Sequence, residues 1–351
     1  MHAHHTMEAF GATALTRLNA YLSARVRGFD AIRELSKFEG GQSNPTYRLS
    51  TATGDYVLRT KPAPAADLLS SAHAIDREYR VIDALGRAGI PVPETYVYCD
   101  DETIIGRHFY LMAFVPGRIF WDQALPALPT PERAAIYGEM NRVMAALHGI
   151  DPVAAGLADF GKAGNYFGRQ ISRWTRQYRA SETQAMPAME ELIAWLPENI
   201  PEGDETCIVH GDFRLDNLVF HPTEPRVVAV LDWELATLGH PLADFSYHCL
   251  GYRIAPHQFR GIAGLDLPSL GIPSEQAYTA MYCERVGRAR IENWEYYIAY
   301  NLFRLAAILQ GIAKRAEDGT AASAEAARVG SQAHALAELG WAAARRFSNP
   351  G

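Results

Sequence analysis

The stretch IVHGDFRLDNLVF, residues 208–220, constrains the fold more than any other part of this 351-residue chain. Its apolar ends read as buried strands, yet between them stand His210, Asp212, Arg214, Asp216 and Asn217. Charges so close to core must be hydrogen-bonded or paired, so the strands are expected to carry a tightly organised loop. Beyond the turn-like HPTEP follows PRVVAVLDWE, which reads as the second strand of a hairpin and brings Asp232 to the same end. Asp212, Asn217 and Asp232 then form a small set of hard oxygen donors. Such a set suits Mg²⁺, which is usually held by one or two carboxylates together with substrate phosphates and water. The remaining carboxylate is free to orient or deprotonate a hydroxyl. Each residue taken alone reads more readily as a turn or loop cap; the three at these spacings favour chemistry.

The rest of the chain places this hairpin in the second of two lobes. With 48% apolar residues the chain can bury one large or two ordinary cores. Residues 32–114 alternate like short strands, with TYRLSTATGDYVLRT reading as a hairpin turning near Thr53-Gly54-Asp55. One helical stretch, SAHAIDREYRVIDALGRAG, interrupts them, and HFYLMAFVPG closes the region. From Thr130-Pro131-Glu132, read as an N-cap, proline and acidic first turn, the chain turns mainly helical, with long segments near 167–181, 274–289, 293–316 and 322–347. The expected division is a tail and helix over 1–29, a sheet lobe over 30–117 and a helical lobe over 118–351, an α+β architecture.

The small lobe carries its own signal. Ile75, Glu78, Ile82 and Leu85 are spaced 3, 4 and 3 and share one helix face, which puts Glu78 in an apolar stripe. A carboxylate there is costly unless paired, and Arg59, on the preceding strand, is the natural partner, although a snorkelling Glu at the stripe's edge is the simpler alternative. Lys61 lies on the same strand face, so a register slip would exchange the two bases; Pro62 opposes that slip. Between the first two strands, FEGGQSNPTYRL supplies Gly40, Gly41, Ser43 and Asn44, either a plain hairpin turn or a loop whose amides cradle phosphate.

His210-Gly211-Asp212, then Asn217, then Asp232-Trp233-Glu234 resembles the catalytic loop and metal motif of the aminoglycoside phosphotransferase-like family, small-molecule kinases with a two-lobed protein-kinase-like fold. The resemblance implies Asp212 as catalytic base, Asn217 and Asp232 as Mg²⁺ ligands, and Arg214 within reach of the transferring phosphate. It also implies Arg59 on the phosphates of ATP, with GTP not excluded, and Met112 and Phe114 near the base of the nucleotide. His210 and Asp244 are expected to brace the loop. The segments GRQISRWTRQYR, LRTKP, HAIDREYRV and HGDFRLDNLVFHP look like the branch also found fused to acyl-CoA dehydrogenase-like domains, a likeness that runs almost the whole way after residue 29.

That branch suggests a hydroxyacyl-CoA or related acid as the hydroxyl acceptor, and Arg169, Arg173 and Arg176 form a basic stripe that could meet its phosphates or simply be solvated. An aminoglycoside or amino-alcohol kinase is the alternative, but a polycation favours an acidic acceptor face, and residues 242–351 balance 11 Lys plus Arg against 10 Asp plus Glu. Residues 182–205 do carry seven carboxylates and no base, which also fits a solvated surface. A nucleotide-binding scaffold without turnover is the third reading. The net charge of −7 gives no blanket attraction to nucleic acid or anionic membrane, and no apolar run reaches the length of a membrane span. Four well-separated cysteines and an N-terminus without signal-peptide character fit a reducing cytoplasm. His2, His4 and His5 read as a tail, with metal binding the lesser alternative.

Overall fold

Side-chain alternation in DYVLRT sets the architecture of the small lobe, because this strand is central to its sheet and sends successive residues to opposite faces. The computed structural model describes residues 10–38, 44–62, 74–320 and 326–348. Within them, helix α1 (Gly11–Arg25) precedes strands β1 (Glu34–Lys37), β2 (Thr46–Ser50) and β3 (Asp55–Thr60); helix α2 (Ile75–Arg87), β4 (Thr95–Cys99) and β5 (Phe109–Ala113) follow. The antiparallel sheet runs β1-β2-β3-β5-β4. Tyr56 and Leu58 face one way, into a core with Leu18 and Leu22 of α1. Val57 faces the other way, toward Val81, Ile82 and Leu85 of α2. Arg59 shares that second face and lies in register with Thr46 and Tyr110. The loop containing Gly40, Gly41 and Ser43, and the tail with His2, His4 and His5, lie outside the described residues.

After the sheet the chain passes into the large lobe through one close contact. Arg118 and Phe220 exchange backbone hydrogen bonds of 2.8 Å in both directions, and a Cβ at Gly117 would lie 2.3 Å from the Phe220 carbonyl oxygen. Only glycine fits there without moving backbone. Helices α3 (Thr130–His148), α4 (Tyr166–Ser181) and α5 (Pro187–Glu198) lead to strands β6 (Cys207–Val209), β7 (Leu218–Phe220), β8 (Val227–Val230) and β9 (Thr237–Gly239). Helices α6 (Pro241–His248), α7 (Glu275–Arg285), α8 (Trp294–Glu317) and α9 (Ala333–Ser348) complete the lobe. Helix α8 is buried along most of its length, as its apolar residues on all sides require, and packs against α4, α6 and α9. The expected small sheet lobe and larger helical lobe are the observed ones.

Three local expectations are corrected. Thr130 is the first helical residue and caps nothing through its side chain; Pro129 precedes the helix in extended conformation. The C-terminal Ala-rich segment is two helices, a short turn over Ala326–Gly330 and then α9, because Gly330 approaches α8 so closely that a Cβ would lie 2.7 Å from Ala313. The strand hairpin is also not one ladder: β7 pairs with β8, while β6 pairs separately with β9. Cys99, Cys207, Cys249 and Cys283 are buried free thiols. Among the described residues no helix is long and apolar enough to cross a membrane.

Candidate active site

The nested strand pairs explain how the polar loop is presented. Residues 210–217 join β6 to β7, and 231–236 join β8 to β9, so pairing the inner and outer strands sets the two connections side by side. The Leu231 amide donates to the Asn217 carbonyl at 2.8 Å, tying one connection to the other. Gly211 has φ +82°, and a Cβ there would meet the Leu235 carbonyl at 2.9 Å, so both conformation and space call for glycine.

Buried charge holds the loop from behind. Asp244, in the first turn of α6, accepts from the His210 amide at 2.7 Å and the Gly211 amide at 2.9 Å, and lies 3.3 Å from Nε2 of His148. Burial alone would raise its carboxyl, but His148 and the amide donors outweigh that and hold it below the usual carboxylate range. Nδ1 of His210 accepts from the Asp212 amide at 3.1 Å, which assigns the ring proton to Nε2, 2.9 Å from the Leu231 carbonyl. Both positions of the ring are thus occupied by backbone, and His210 is a brace between the two connections.

Asp212 stands at the front of this loop. Its Oδ1 accepts from the Tyr247 hydroxyl at 2.6 Å and lies 3.1 Å from Nε of Arg214. Its Oδ2 is 3.2 Å from Nδ2 of Asn217, which also donates to the Asp212 carbonyl at 2.9 Å. With its nitrogen turned to Asp212, Asn217 presents its carbonyl oxygen to the other side. Arg214 further approaches Asp216 at 3.4 Å, and Arg260 pairs with the same carboxylate at 2.6 Å.

Asp232, the second residue of the second connection, adopts a left-handed conformation, φ 64° and ψ 59°. Its carboxylate is 37% exposed, and Oδ1 lies 3.2 Å from a terminal nitrogen of Arg59. Nε of Arg59 is 2.9 Å from Oε2 of Glu78, which is only 3% exposed, so the expected strand–helix pair is present. Arg59 also reaches Glu234 at 3.6 Å. One guanidinium thus joins the helix of the small lobe to a carboxylate of the large one. Burial pushes the Glu78 carboxyl up, to about 7, against the pull of Arg59. For Arg59 burial acts downward, and Glu78 with its neighbours more than offsets it, so the guanidinium stays charged.

The remaining expected residues lie in four places. Met112 is buried in the sheet opposite Val57, and Phe114 lies nearly parallel to the exposed Phe38 at 6.5 Å, with Arg48 over its ring at 4.6 Å. Asn44 is buried and its carbonyl accepts from the Thr46 hydroxyl. Lys61 lies past the end of β3 and does not take Arg59's place beside Glu78. Arg169, Arg173 and Arg176 share a face of α4, with Arg173 and Arg176 exposed. A cavity of about 50 Å³ adjoins the loop and is lined by Trp121, Arg214, Asp216, Tyr247, Tyr252 and Arg260, among others.

Tyr247 and Arg304 are two neighbours of Asp212's loop that the sequence reading missed, and both left a trace. Tyr247 follows Asp244 by three positions, so the two share a helix face. Arg304 is the only charged residue between Tyr296 and Ala313, a charge in an apolar stripe like Glu78. The contact of Arg59 with Asp232 had no signal, since the residues are 173 positions apart.

Among the described residues no group of three or more His, Cys, Asp or Glu is arranged to hold a metal unaided. The hard donors Asn217 and Asp232 instead fit a cation that shares its shell with phosphate oxygens. Residues 34–273 match the model of the phosphotransferase enzyme family. Acyl-CoA dehydrogenase family member 10 of Mus musculus is 50% identical over 311 residues, covering 88% of this chain and 29% of that protein. The chain spans less than half the length of these curated relatives. A crystal structure described as a putative aminoglycoside phosphotransferase from Ralstonia eutropha JMP134 superposes with a TM-score of 0.88 at 54% identity, over 94% of this chain and 98% of that one. Spectinomycin phosphotransferase APH(9)-Ia, solved with ADP and spectinomycin, shares the fold at TM-score 0.61 and 11% identity, over 93% of this chain and 98% of that one.

Proposed function

The chain belongs to the phosphotransferase enzyme family, and from that premise we propose that it transfers the γ-phosphoryl group of ATP to a hydroxyl of a hydroxyacyl-CoA or related acid, with Mg²⁺. The observation that carries this is the meeting of Asp212, Asn217 and Asp232 at the two adjoining connections, with Arg59 reaching Asp232 from the small lobe. Asn217 and Asp232 would hold the cation, which neutralises charge on the phosphates when bound. Arg59, fixed by Glu78, binds phosphate oxygens from above; Arg214 does so beside the loop. Asp212 orients the acceptor hydroxyl and takes its proton as the new oxygen–phosphorus bond forms and the bond to the ADP oxygen breaks. GTP is the alternative donor on the same chemistry.

The acceptor class rests on charge. Among the described residues Asp216 is the only carboxylate lining the small cavity, and it is already paired with Arg214 and Arg260, so a polycation gains little there while an anion finds two guanidinium groups. The relatives named as acyl-CoA dehydrogenase family members support an acyl-CoA-linked acceptor. Phosphoryl transfer from ATP is to be measured against hydroxyacyl-CoAs, free hydroxy acids, amino sugars and amino alcohols. Preference for an amino sugar would sink the acceptor assignment; tight ATP binding with transfer to none of them would favour a scaffold. Asp212→Asn keeps the shape and removes the base, so turnover should fall by roughly 10²-fold or more while nucleotide affinity barely moves. Full turnover in that variant would remove Asp212 from the mechanism.

A further inference from the structure

Arg304 is a buried cation with an unusual set of partners. No carboxylate of the described residues lies in ion-pair range of it; its guanidinium donates to the Gly211 carbonyl at 2.6 Å and lies over the rings of Tyr247, at 4.7 Å, and Trp174, at 5.6 Å. A buried charge so placed is expensive unless its position is used. The Tyr247 ring it covers ends in the hydroxyl that donates to Oδ1 of Asp212 at 2.6 Å. Trp174 from α4, Arg304 from α8, Tyr247 from α6 and Asp212 from the loop therefore form one continuous column.

We propose that Tyr247, mounted on Arg304, is a positioning residue for phosphoryl transfer: it holds Oδ1 of Asp212 so that Oδ2 is the oxygen presented to the acceptor. This rests on Asp212 being the base. Three features of the geometry support it. Oδ1 already accepts the Tyr247 hydroxyl at 2.6 Å and lies in ion-pair range of Arg214, whereas Oδ2 has one donor, Asn217, at the longer distance of 3.2 Å. Tyr247 remains a donor, because burial and the adjacent Asp212 carboxylate both push its hydroxyl well above the ordinary range. It also lines the cavity beside the loop, so it faces both the base and the space next to it. A cation over the ring withdraws electron density from the phenol and strengthens its O–H as a donor. Arg304 simultaneously grips the Gly211 carbonyl, so the loop backbone and the side chain of Asp212 are held from the same guanidinium. Small displacements of a reacting group are enough to slow transfer by about 10²-fold.

The test uses water as the acceptor, so that it needs no identified alcohol: ADP release from Mg²⁺-ATP is followed in the full chain, with AMP-PNP affinity and thermal melting measured beside it. Tyr247→Phe retains the ring under Arg304 and loses only the hydroxyl. Its hydrolysis rate should fall by roughly tenfold, with AMP-PNP affinity and melting temperature close to wild type. Arg304→Lys keeps the charge and loses the planar stack, and should lower the same rate with AMP-PNP affinity again unmoved. A Tyr247→Phe protein that hydrolyses at the wild-type rate while Asp212→Asn does not would overturn the positioning role and leave the base in place. Loss of AMP-PNP binding together with hydrolysis would also overturn it, since the hydroxyl would then be structural. If Asp212→Asn hydrolyses as wild type, the base assignment fails and this inference falls with it.

Discussion

The small lobe and the large lobe hold their charges in opposite ways. In the small lobe, Arg59 and Glu78 meet face to face from a strand and a helix that neighbour each other in sequence, and both are largely withdrawn from water. In the large lobe, the loop around Asp212 is held by many weaker contacts from distant elements: Asp244 and Tyr247 on α6, His148 on α3 and Arg304 on α8. The pair cannot lose Arg59 cheaply, because Glu78 left alone is an unpaired charge in a poor dielectric, whereas Arg59 keeps Asp232 and Glu234 as further partners. A distributed set loses its members one at a time. On the proposed function, the first arrangement suits a cation that must stay charged for phosphate, and the second suits a base whose position matters more than its stability.

The sharpest way to break this contrast is to remove one half of the pair. Arg59→Ala should destabilise the protein by about 3–5 kcal/mol, the range for stranding a buried charge. The loss should also depend on pH in a defined direction. Glu78 is already raised to about 7, so removing the base that pulls it down raises it further, and the folded variant keeps the carboxyl protonated to higher pH than the unfolded chain. A group raised in the folded state contributes stability that is present below its unfolded value and lost as pH rises through the folded one. The cost of Arg59→Ala should therefore be larger at pH 8 than at pH 6, and Glu78→Gln added to it should recover part of the loss at pH 8. Denaturant melts at the two pH values decide this; a cost independent of pH would show that Glu78 is not the stranded group.

Acid should act on the large lobe with the opposite sign. His248, at the end of α6, has Nδ1 3.2 Å from the Phe213 carbonyl and Nε2 2.6 Å from the Tyr278 hydroxyl, an arrangement for a neutral ring. Burial lowers its pKa from 6.5 to about 4. The unfolded chain thus takes up the proton first, so the contribution is present above about 6.5 and lost as pH falls toward 4, on the order of 3 kcal/mol at the bottom of that window. His240, lowered to about 4 chiefly by burial, adds to the same slope. The melting temperature should fall between pH 6.5 and 4.5, and His248→Gln should flatten part of that fall. An unchanged slope would mean that the ring is already protonated in the fold.

These two regions were also unequally legible. The pair could be read from periodicity, since alternation in β3 and the 3, 4, 3 spacing in α2 each place one partner, and only their meeting had to be assumed. The polar loop was legible as chemistry, through Asp212, Asn217 and Asp232, but its support was not. The braces come from helices far away in sequence, and the separate pairing of β6 with β9 depends on three-residue strands too short to show a period. What placed Arg304 against Gly211 is packing of α8, which no local pattern encodes. The break before α9 escaped for a related reason: Ala-rich sequence favours helix throughout, and close approach to Ala313 overrides that propensity at Gly330.

The smallest expected effect concerns the basic stripe of α4, which belongs to neither arrangement. Arg173 lies over the ring of its neighbour Trp174 at 5.1 Å and is exposed, as is Arg176. Replacing both by Ala should change stability by within about 0.5 kcal/mol, as for other surface sites away from networks. Yet Arg173 touches Trp174, the foot of the column that runs through Arg304 and Tyr247 to Asp212, so an extended anionic acceptor is the ligand the stripe would meet. An exposed charge contact is worth about 0.2–1 kcal/mol, so two of them correspond, for an acceptor bearing phosphates, to a KM raised roughly twofold to thirtyfold in the double variant at low salt. The effect should fade as salt is added, because such contacts are screened over a distance of about 10 Å at 0.1 M. A free hydroxy acid, lacking the phosphates of the CoA ester, should show no change. Equal KM values for the ester in wild type and Arg173→Ala/Arg176→Ala at low salt would make the stripe a solvated surface and leave recognition of the acceptor to Arg214 and Arg260.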